Sequence, residues 1–197
     1  MNTSYARTET LLGAWLAPMD GVRQIALVVA FSLLVALSAQ ITIPLYPVPI
    51  TGQTFAVLLT GALLGSRLGA LAMIAYLAEG ASGLPFFREG NGGIAYLLFS
   101  PTSGYLLSYP LAAFFVGLLA ERGWDKRFLT AAAAMALGSI VILFCGWAWL
   151  ARLMGATAAF HVGVERFIIG DIIKIALAAA VLPTGWAILR RKASRER

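Results

Sequence analysis

Between Phe128 and Leu150 the chain carries no charged side chain, and five further apolar stretches occupy most of the remaining sequence. An apolar run of that length belongs in hydrocarbon or deep inside a large soluble core. Composition decides between the two: the chain is 60% hydrophobic and 12% charged over 197 residues, whereas soluble domains are about a quarter charged. Six spans of ~20 residues would consume most of the chain and leave short connections. The expectation is an all-α integral membrane protein with six transmembrane helices and no separate soluble domain.

The expected spans are Gln24–Ile43, Gln53–Leu64, Leu68–Glu79, Pro101–Ala120, Phe128–Leu150 and Phe167–Leu189. The first stops at Pro44-Leu45-Tyr46-Pro47-Val48-Pro49, which cannot continue a helix. The second is short, so it is tilted, partly re-entrant or shielded by neighbours. Residues 1–22 contain the amphipathic piece Leu11-Leu12-Gly13-Ala14-Trp15-Leu16, too short to span and read as interfacial. The membrane domain is then 23–190 and a basic tail 191–197.

Charge sets the orientation. Arg7, Arg23, Arg67, Arg122, Lys126, Arg127, Arg190, Arg191, Lys192, Arg195 and Arg197 fall on one side, against Arg88, Arg152 and Arg166 on the other. The positive-inside rule puts both termini in the cytoplasm and the Pro- and Gly-rich segments 44–52 and 80–100 outside. The formal charge of +6 is therefore a topology signal, and no nucleic-acid partner is expected. Trp124 and Trp186, near inner span ends, read as interfacial anchors.

Catalytic patterns are missing. There is no Walker-type phosphate loop, no H-E-x-x-H, no G-x-S-x-G elbow, and a single histidine, His161, without a catalytic neighbourhood. No enzyme activity, metal or cofactor is expected, and any ATP-driven work needs another subunit. Cys145, mid-span, has a small apolar role.

Asp171 and Lys174 are the exception to the apolar pattern of the last span. Ionisable groups in hydrocarbon are costly and functional by default, and three-residue spacing puts them on one helix face. They form either a structural ion pair or a ligand site. A carboxylate accepts from N–H and an ammonium donates to C=O, so together they suit a urea or amide. Gln53 and Asn91, near outer span ends, add two-way hydrogen bonding, although Asn91 equally suits a turn in its Gly-rich loop. Phe86, Phe87, Tyr96, Phe99, Tyr105 and Tyr109 are available to wall an apolar ligand. Small residues recur every fourth position, as in Ala26-x-x-x-Ala30, Gly61-x-x-x-Gly65 and Gly65-x-x-x-Gly69, spacing that lets helices approach closely in lipid.

Four segments, Ile43-Pro-Leu-Tyr-Pro-Val-Pro-Ile-Thr-Gly-Gln53-Thr-Phe55, Gly83-Leu-Pro-Phe-Phe87, Pro101-Thr-Ser-Gly-Tyr-Leu106 and Gly170-Asp171-Ile-Ile-Lys174, together resemble the BioY family. BioY proteins are the biotin-specific substrate-binding subunits of energy-coupling factor transporters. The likeness runs from about Gln24 to Leu189; Glu79 stands where an apolar residue is expected and Ser103 where Gly is more usual. It implies a multi-pass protein of the bacterial cytoplasmic membrane that captures biotin from the outer face. Its implied partners are a transmembrane coupling protein, ABC-type ATPase subunits and the lipid bilayer, with biotin as transported ligand rather than cofactor. It also implies that Asp171, Lys174 and the loop residue Asn91 line the biotin site. Gln53, Phe86 and Tyr96 complete the expected site, and Ala26 and Ala30 the expected docking surface. Two other readings stay open: a proton or ion pathway through Asp171–Lys174, and the same scaffold carrying another vitamin.

Overall fold

The computed structural model describes residues 10–16 and 20–195. Parts of the expected interfacial segment (1–9 and 17–19) and the end of the basic tail (196–197) lie outside the described residues. The elements in order are α1 (Leu11–Leu16), α2 (Gly21–Gln40), β1 (Thr42–Ile43), β2 (Ile50–Thr51), α3 (Gln53–Leu64), α4 (Ser66–Ala81), α5 (Ile94–Phe99), α6 (Ser103–Ala120), α7 (Phe128–Met154), α8 (Ala156–Gly163) and α9 (Ile168–Arg195). The six long helices α2, α3, α4, α6, α7 and α9 form the all-α bundle. Four of them, α2, α6, α7 and the segment containing α9, are long and apolar enough to cross a membrane.

A helix of 12 residues such as α3 rises only ~18 Å, well short of the ~30 Å hydrocarbon layer. Its neighbours resolve the mismatch. Helix α3 touches α2, α4, α6, α7 and α9, and Gln53, Ala56, Val57, Leu58, Thr60, Gly61, Ala62 and Leu64 are all buried. It is shielded by protein, which is one of the arrangements the sequence left open.

Association of helices in lipid depends on close packing, because hydrocarbon gives apolar side chains no reason to leave it. Gly61 of α3 lies so close to Ala113 of α6 that a Cβ there would overlap the Ala113 carbonyl. Helices α3 and α4 are joined by Gly65 alone, whose φ of 85° favours glycine. On α9, Asp171, Ala178, Ala179, Leu182 and Trp186 are buried, while Ile169, Ile172, Ile173, Leu177 and Val181 are exposed on the opposite face. That division gives one protein-facing stripe and one lipid-facing stripe.

The structure departs from the sequence reading in several places, three of them outside the cavity and its loops. Helix α9 runs past Leu189 to Arg195, because Arg, Lys and Ala are good helix formers and nothing in 190–195 stops the helix. The connection after α2 contains a two-stranded antiparallel ribbon, Thr42 opposite Thr51 and Ile43 opposite Ile50. Trp186 is not an interfacial anchor: it is buried, its Nε1–H donates to Asp125 Oδ2 at 2.6 Å, and Lys126 Nζ lies 4.5 Å from its ring centre. Burial of Asp125 at this turn pushes its carboxyl above the usual range. The connections at the opposite end of the bundle, 41–52, 82–102 and 155–167, supply loop residues to one cavity.

Candidate ligand-binding site

The cavity lies between those loops and the adjoining ends of α3, α6 and α9, is tightly filled by its lining side chains and opens to solvent. Val48, Pro49 and Thr51 come from the 41–52 connection, Gln53 and Thr54 from the first turn of α3, and Phe87, Arg88, Tyr96 and Thr102 from 82–102. Tyr105, Leu106 and Tyr109 come from α6, Phe167 from the end of the 155–167 connection and Lys174 from the start of α9. Its walls are therefore aromatic and its polar groups few, the usual make-up of a small-molecule site.

The aromatic side chains hold one another in place. Phe87 stacks on Tyr96 with centroids 5.5 Å apart, and Tyr76 meets the edge of Phe87 at 5.7 Å. Tyr105 stacks on Phe167 at 5.9 Å and donates its hydroxyl to the Gly163 carbonyl at 2.6 Å. The loop carrying Phe87 is fixed from α2: Gln40 Nε2 donates to the Phe87 carbonyl at 3.1 Å, and Gly90 N–H donates to Gln40 Oε1 at 3.1 Å.

Gln53 is buried, and most of its hydrogen-bonding capacity is used within the protein. Its Nε2 donates to the Tyr76 hydroxyl at 2.5 Å, while its Oε1 accepts from Tyr109 and Thr51 hydroxyls, each at 3.2 Å. The Tyr76 hydroxyl donates onward to the Phe86 carbonyl at 3.2 Å. Gln53 thus ties α3, α4 and α6 together under the cavity.

Lys174 and Asp171 do pair, at 3.5 Å between Nζ and Oδ1. The ammonium also donates to the Thr51 carbonyl at 3.0 Å and to Thr54 Oγ1 at 2.7 Å. Asp171 Oδ2 accepts from the Ser139 hydroxyl of α7. The carboxylate therefore sits behind the ammonium, between α9 and α7, and only Lys174 reaches the cavity wall.

Of the residues expected from sequence, the structure brings Gln53, Tyr96 and Lys174 to the cavity, with Asp171 directly behind. Phe86 is not on the wall; its neighbour Phe87 is, because the turn held by Gln40 aims that ring inward. Asn91 is also off the wall: its Nδ2 donates to the Arg88 carbonyl at 2.8 Å, which is turn-making work. Ala26 and Ala30 lie on the exposed face of α2, away from the cavity.

Arg88, Thr54, Phe167 and Ser139 were not foreseen as site residues. Arg88 had a signal, being one of three cations on the side otherwise poor in them. Its Nε is buried with no partner among the described residues, as is the Tyr96 hydroxyl, and both residues line the cavity. Buried polar atoms without partners mark places where a ligand or water completes the bonding. Among the described residues no three His, Cys, Asp or Glu side chains gather as metal ligands.

A bundle of membrane helices that sets a paired ammonium beside an aromatic-walled cavity under its loops is a membrane protein of the small-molecule-binding class. Comparison with known proteins narrows the class. The chain belongs to the BioY family, whose family model matches residues 6–191. It is 42% identical over 159 residues to the probable biotin transporter BioY of Pyrococcus horikoshii, covering 81% of this chain and 93% of that protein. It is 38% identical over 160 residues to the biotin transporter BioY of Thermotoga maritima, covering 81% and 94%. Among solved structures it is similar to the S-component for biotin from an ECF-type ABC transporter. That match has a TM-score of 0.74 and 26% identity, over 84% of this chain and 93% of the other.

Proposed function

We propose that this protein is the biotin-binding membrane subunit of an energy-coupling factor transporter. It takes biotin from the outer face and passes it inward together with a coupling protein and ATPase subunits, in a bacterial cytoplasmic membrane. The observation that carries this reading is the Lys174–Asp171 pair set at an aromatic-walled cavity in a chain of the BioY family.

The chemistry fits the ligand. Biotin has a cyclic urea with two N–H donors and one carbonyl, an apolar thioether ring and a carboxylate on a short alkyl chain. Lys174 donates to the ureido oxygen, in exchange for part of its bonding to Thr51. Asp171, behind Lys174 at 3.5 Å, holds the ammonium at the cavity wall without reaching the ligand itself. Tyr96, Phe87 and Tyr105 cover the rings.

For the carboxylate the candidate is Arg88, which lines the cavity and keeps an unpartnered buried Nε although its Nη1 pairs with Glu89 at 3.1 Å. A charge-assisted bond of this kind contributes ~1.5 kcal/mol at a partly solvated position. Arg88→Gln should therefore weaken biotin binding about tenfold and leave binding of biotin amide nearly unchanged. Equal losses for both ligands, measured by equilibrium titration of the purified protein, would assign the carboxylate elsewhere.

Docking to the coupling protein is assigned to the exposed small-residue face of α2, at Ala26 and Ala30. Ala26 and Ala30, exposed and four residues apart among larger aliphatic side chains, leave a shallow notch where another helix can approach closely. Ala30→Trp should abolish co-purification with the coupling protein and leave biotin affinity intact. Loss of both at once would make this face part of the fold.

A further inference from the structure

The cavity leaves little free space between its lining side chains, so a ligand of two fused rings enters and leaves only as one wall gives way. Helices α3, α6 and α9 belong to the packed bundle, and Phe167 is stacked on Tyr105 of α6. The 41–52 connection is tied down by Lys174 and Arg166, which donate to the Thr51 and Tyr46 carbonyls at 3.0 and 3.3 Å. The wall segment 87–91 is held differently. Phe87 N–H donates to the Asn91 carbonyl at 2.9 Å and Asn91 N–H to the Arg88 carbonyl at 3.1 Å, both inside the turn. Among the described residues, the backbone bonds from 87–90 that leave the turn run to one side chain, that of Gln40 at the end of α2.

The turn is strained. Glu89, at φ 55° and ψ 30°, is the one residue other than glycine with positive φ among the described residues. A left-handed backbone is costly for a residue with a Cβ, and Glu lacks the short side chain that lets Asn or Asp bear it. Its exposed contact with Arg88 Nη1 at 3.1 Å is of the kind that contributes little. Gln40 supplies the opposing hold. Its Nε2 donates to its own helix at the Ala36 carbonyl at 3.2 Å, which orients the carboxamide. The same Nε2 reaches the Phe87 carbonyl at 3.1 Å, and Oε1 takes the Gly90 N–H at 3.1 Å. The two clasped groups thus lie on either side of Glu89. Beside them, the Phe87 ring fills the notch at Gly80, where a Cβ would overlap it, and Arg88 lines the cavity.

We propose that Gln40 is a positioning residue of the binding site, latching the strained 87–91 turn so that Phe87 and Arg88 stay on the cavity wall. The latch sets how long a bound ligand is retained. This inference deepens the biotin reading above and rests on it for the identity of the ligand. Two neutral hydrogen bonds are weak enough to break often, and once both are broken the strain at Glu89 carries the turn away from its closed form. Closing restores the wall only when the Gln40 carboxamide recaptures the Phe87 carbonyl and the Gly90 N–H.

The test uses the purified full-length protein, with amide hydrogen exchange of the 87–91 segment read in the absence of ligand and radiolabelled biotin kinetics read alongside. Gln40→Leu should speed both the exchange of 87–91 and biotin dissociation about tenfold. Association should quicken as well, so affinity falls by less than dissociation rises. Relief of strain should act in reverse: Glu89→Gly added to Gln40→Leu should slow exchange and dissociation about threefold. Glu89→Ala removes the same carboxylate and keeps the left-handed strain, so it should give no such recovery. Thermal unfolding reports that the variants are folded. Exchange within twofold of wild type in Gln40→Leu, or equal effects of glycine and alanine at position 89, overturns the proposal. Weaker binding that comes from slower association at unchanged dissociation also overturns it, and makes Gln40 a part of the fold. Because exchange is read without ligand, wild-type protein that binds no biotin but shows the expected exchange changes would count against the proposed function and support the latch.

Discussion

Replacing Lys174 by alanine is expected to weaken biotin binding by about 30- to 150-fold, equivalent to about 2–3 kcal/mol. The size follows from what the ammonium touches. Its three N–H groups serve the Thr51 carbonyl, Thr54 Oγ1 and Asp171 Oδ1 at 3.0, 2.7 and 3.5 Å. Removing it leaves a buried carboxylate with no counter-charge, an unbonded carbonyl on the ribbon and no donor for the ureido oxygen. Breaking one side of a buried pair costs more than the pair itself contributes, because the remaining charge stays desolvated. Thr54→Val is the calibrating variant: it deletes one neutral acceptor and keeps both charges, so about fivefold is expected. Equilibrium titration of monodisperse protein, with thermal unfolding alongside, separates the two. Affinities within twofold of wild type for Lys174→Ala would mean that the pair is architectural and that biotin is recognised elsewhere in the cavity.

That pair also shows how far sequence reasoning carries in such a chain. The spacing of Asp171 and Lys174 placed them on one helix face without any structure, since three residues is nearly one turn. What spacing could not supply was depth. Ser139 of α7 draws the carboxylate away from the cavity, a contact between residues far apart in sequence that leaves no local trace. The long helices were legible for the same physical reason as the pair: hydrocarbon demands long apolar runs, and α2, α6, α7 and α9 carry them.

The loops were less legible. Phe86 and Phe87 are indistinguishable by composition, and which ring faces the ligand is set by Gln40, which reaches across from α2 to fix the turn. Asn91 was read as ligand or turn residue from its Gly-rich surroundings, and its bond to the Arg88 carbonyl follows the turn reading. Short helices such as α5, with 6 residues, are too brief for hydrophobic periodicity to register. Helix α8 escaped notice because its apolar residues follow α7 almost directly, with only Gly155 at φ 86° between them.

Gly61→Val should have the largest effect on the fold itself. A Cβ at Gly61 would overlap the Ala113 carbonyl of α6, and at Gly69 a Cβ would come within 2.9 Å of the Gly61 Cα. Both obstacles are backbone, which cannot rotate aside as a flexible side chain would, so α3 has to move off α6 and α4. Overpacking of that kind lies at or above the usual ~3 kcal/mol upper range, which corresponds to a melting temperature lower by about 10 °C. The displacement also reaches the cavity, because Gln53 stands on the same helix and meets Tyr109 of α6 at 3.2 Å. Biotin affinity should therefore fall together with stability. Gly21→Ala, where a Cβ meets nothing within 4 Å, should change neither. If Gly61→Val instead kept wild-type stability while biotin binding fell, α3 would be able to slide within the bundle. The α3–α6 contact would then be a moving part of the binding cycle, and not the fixed seam its close packing indicates.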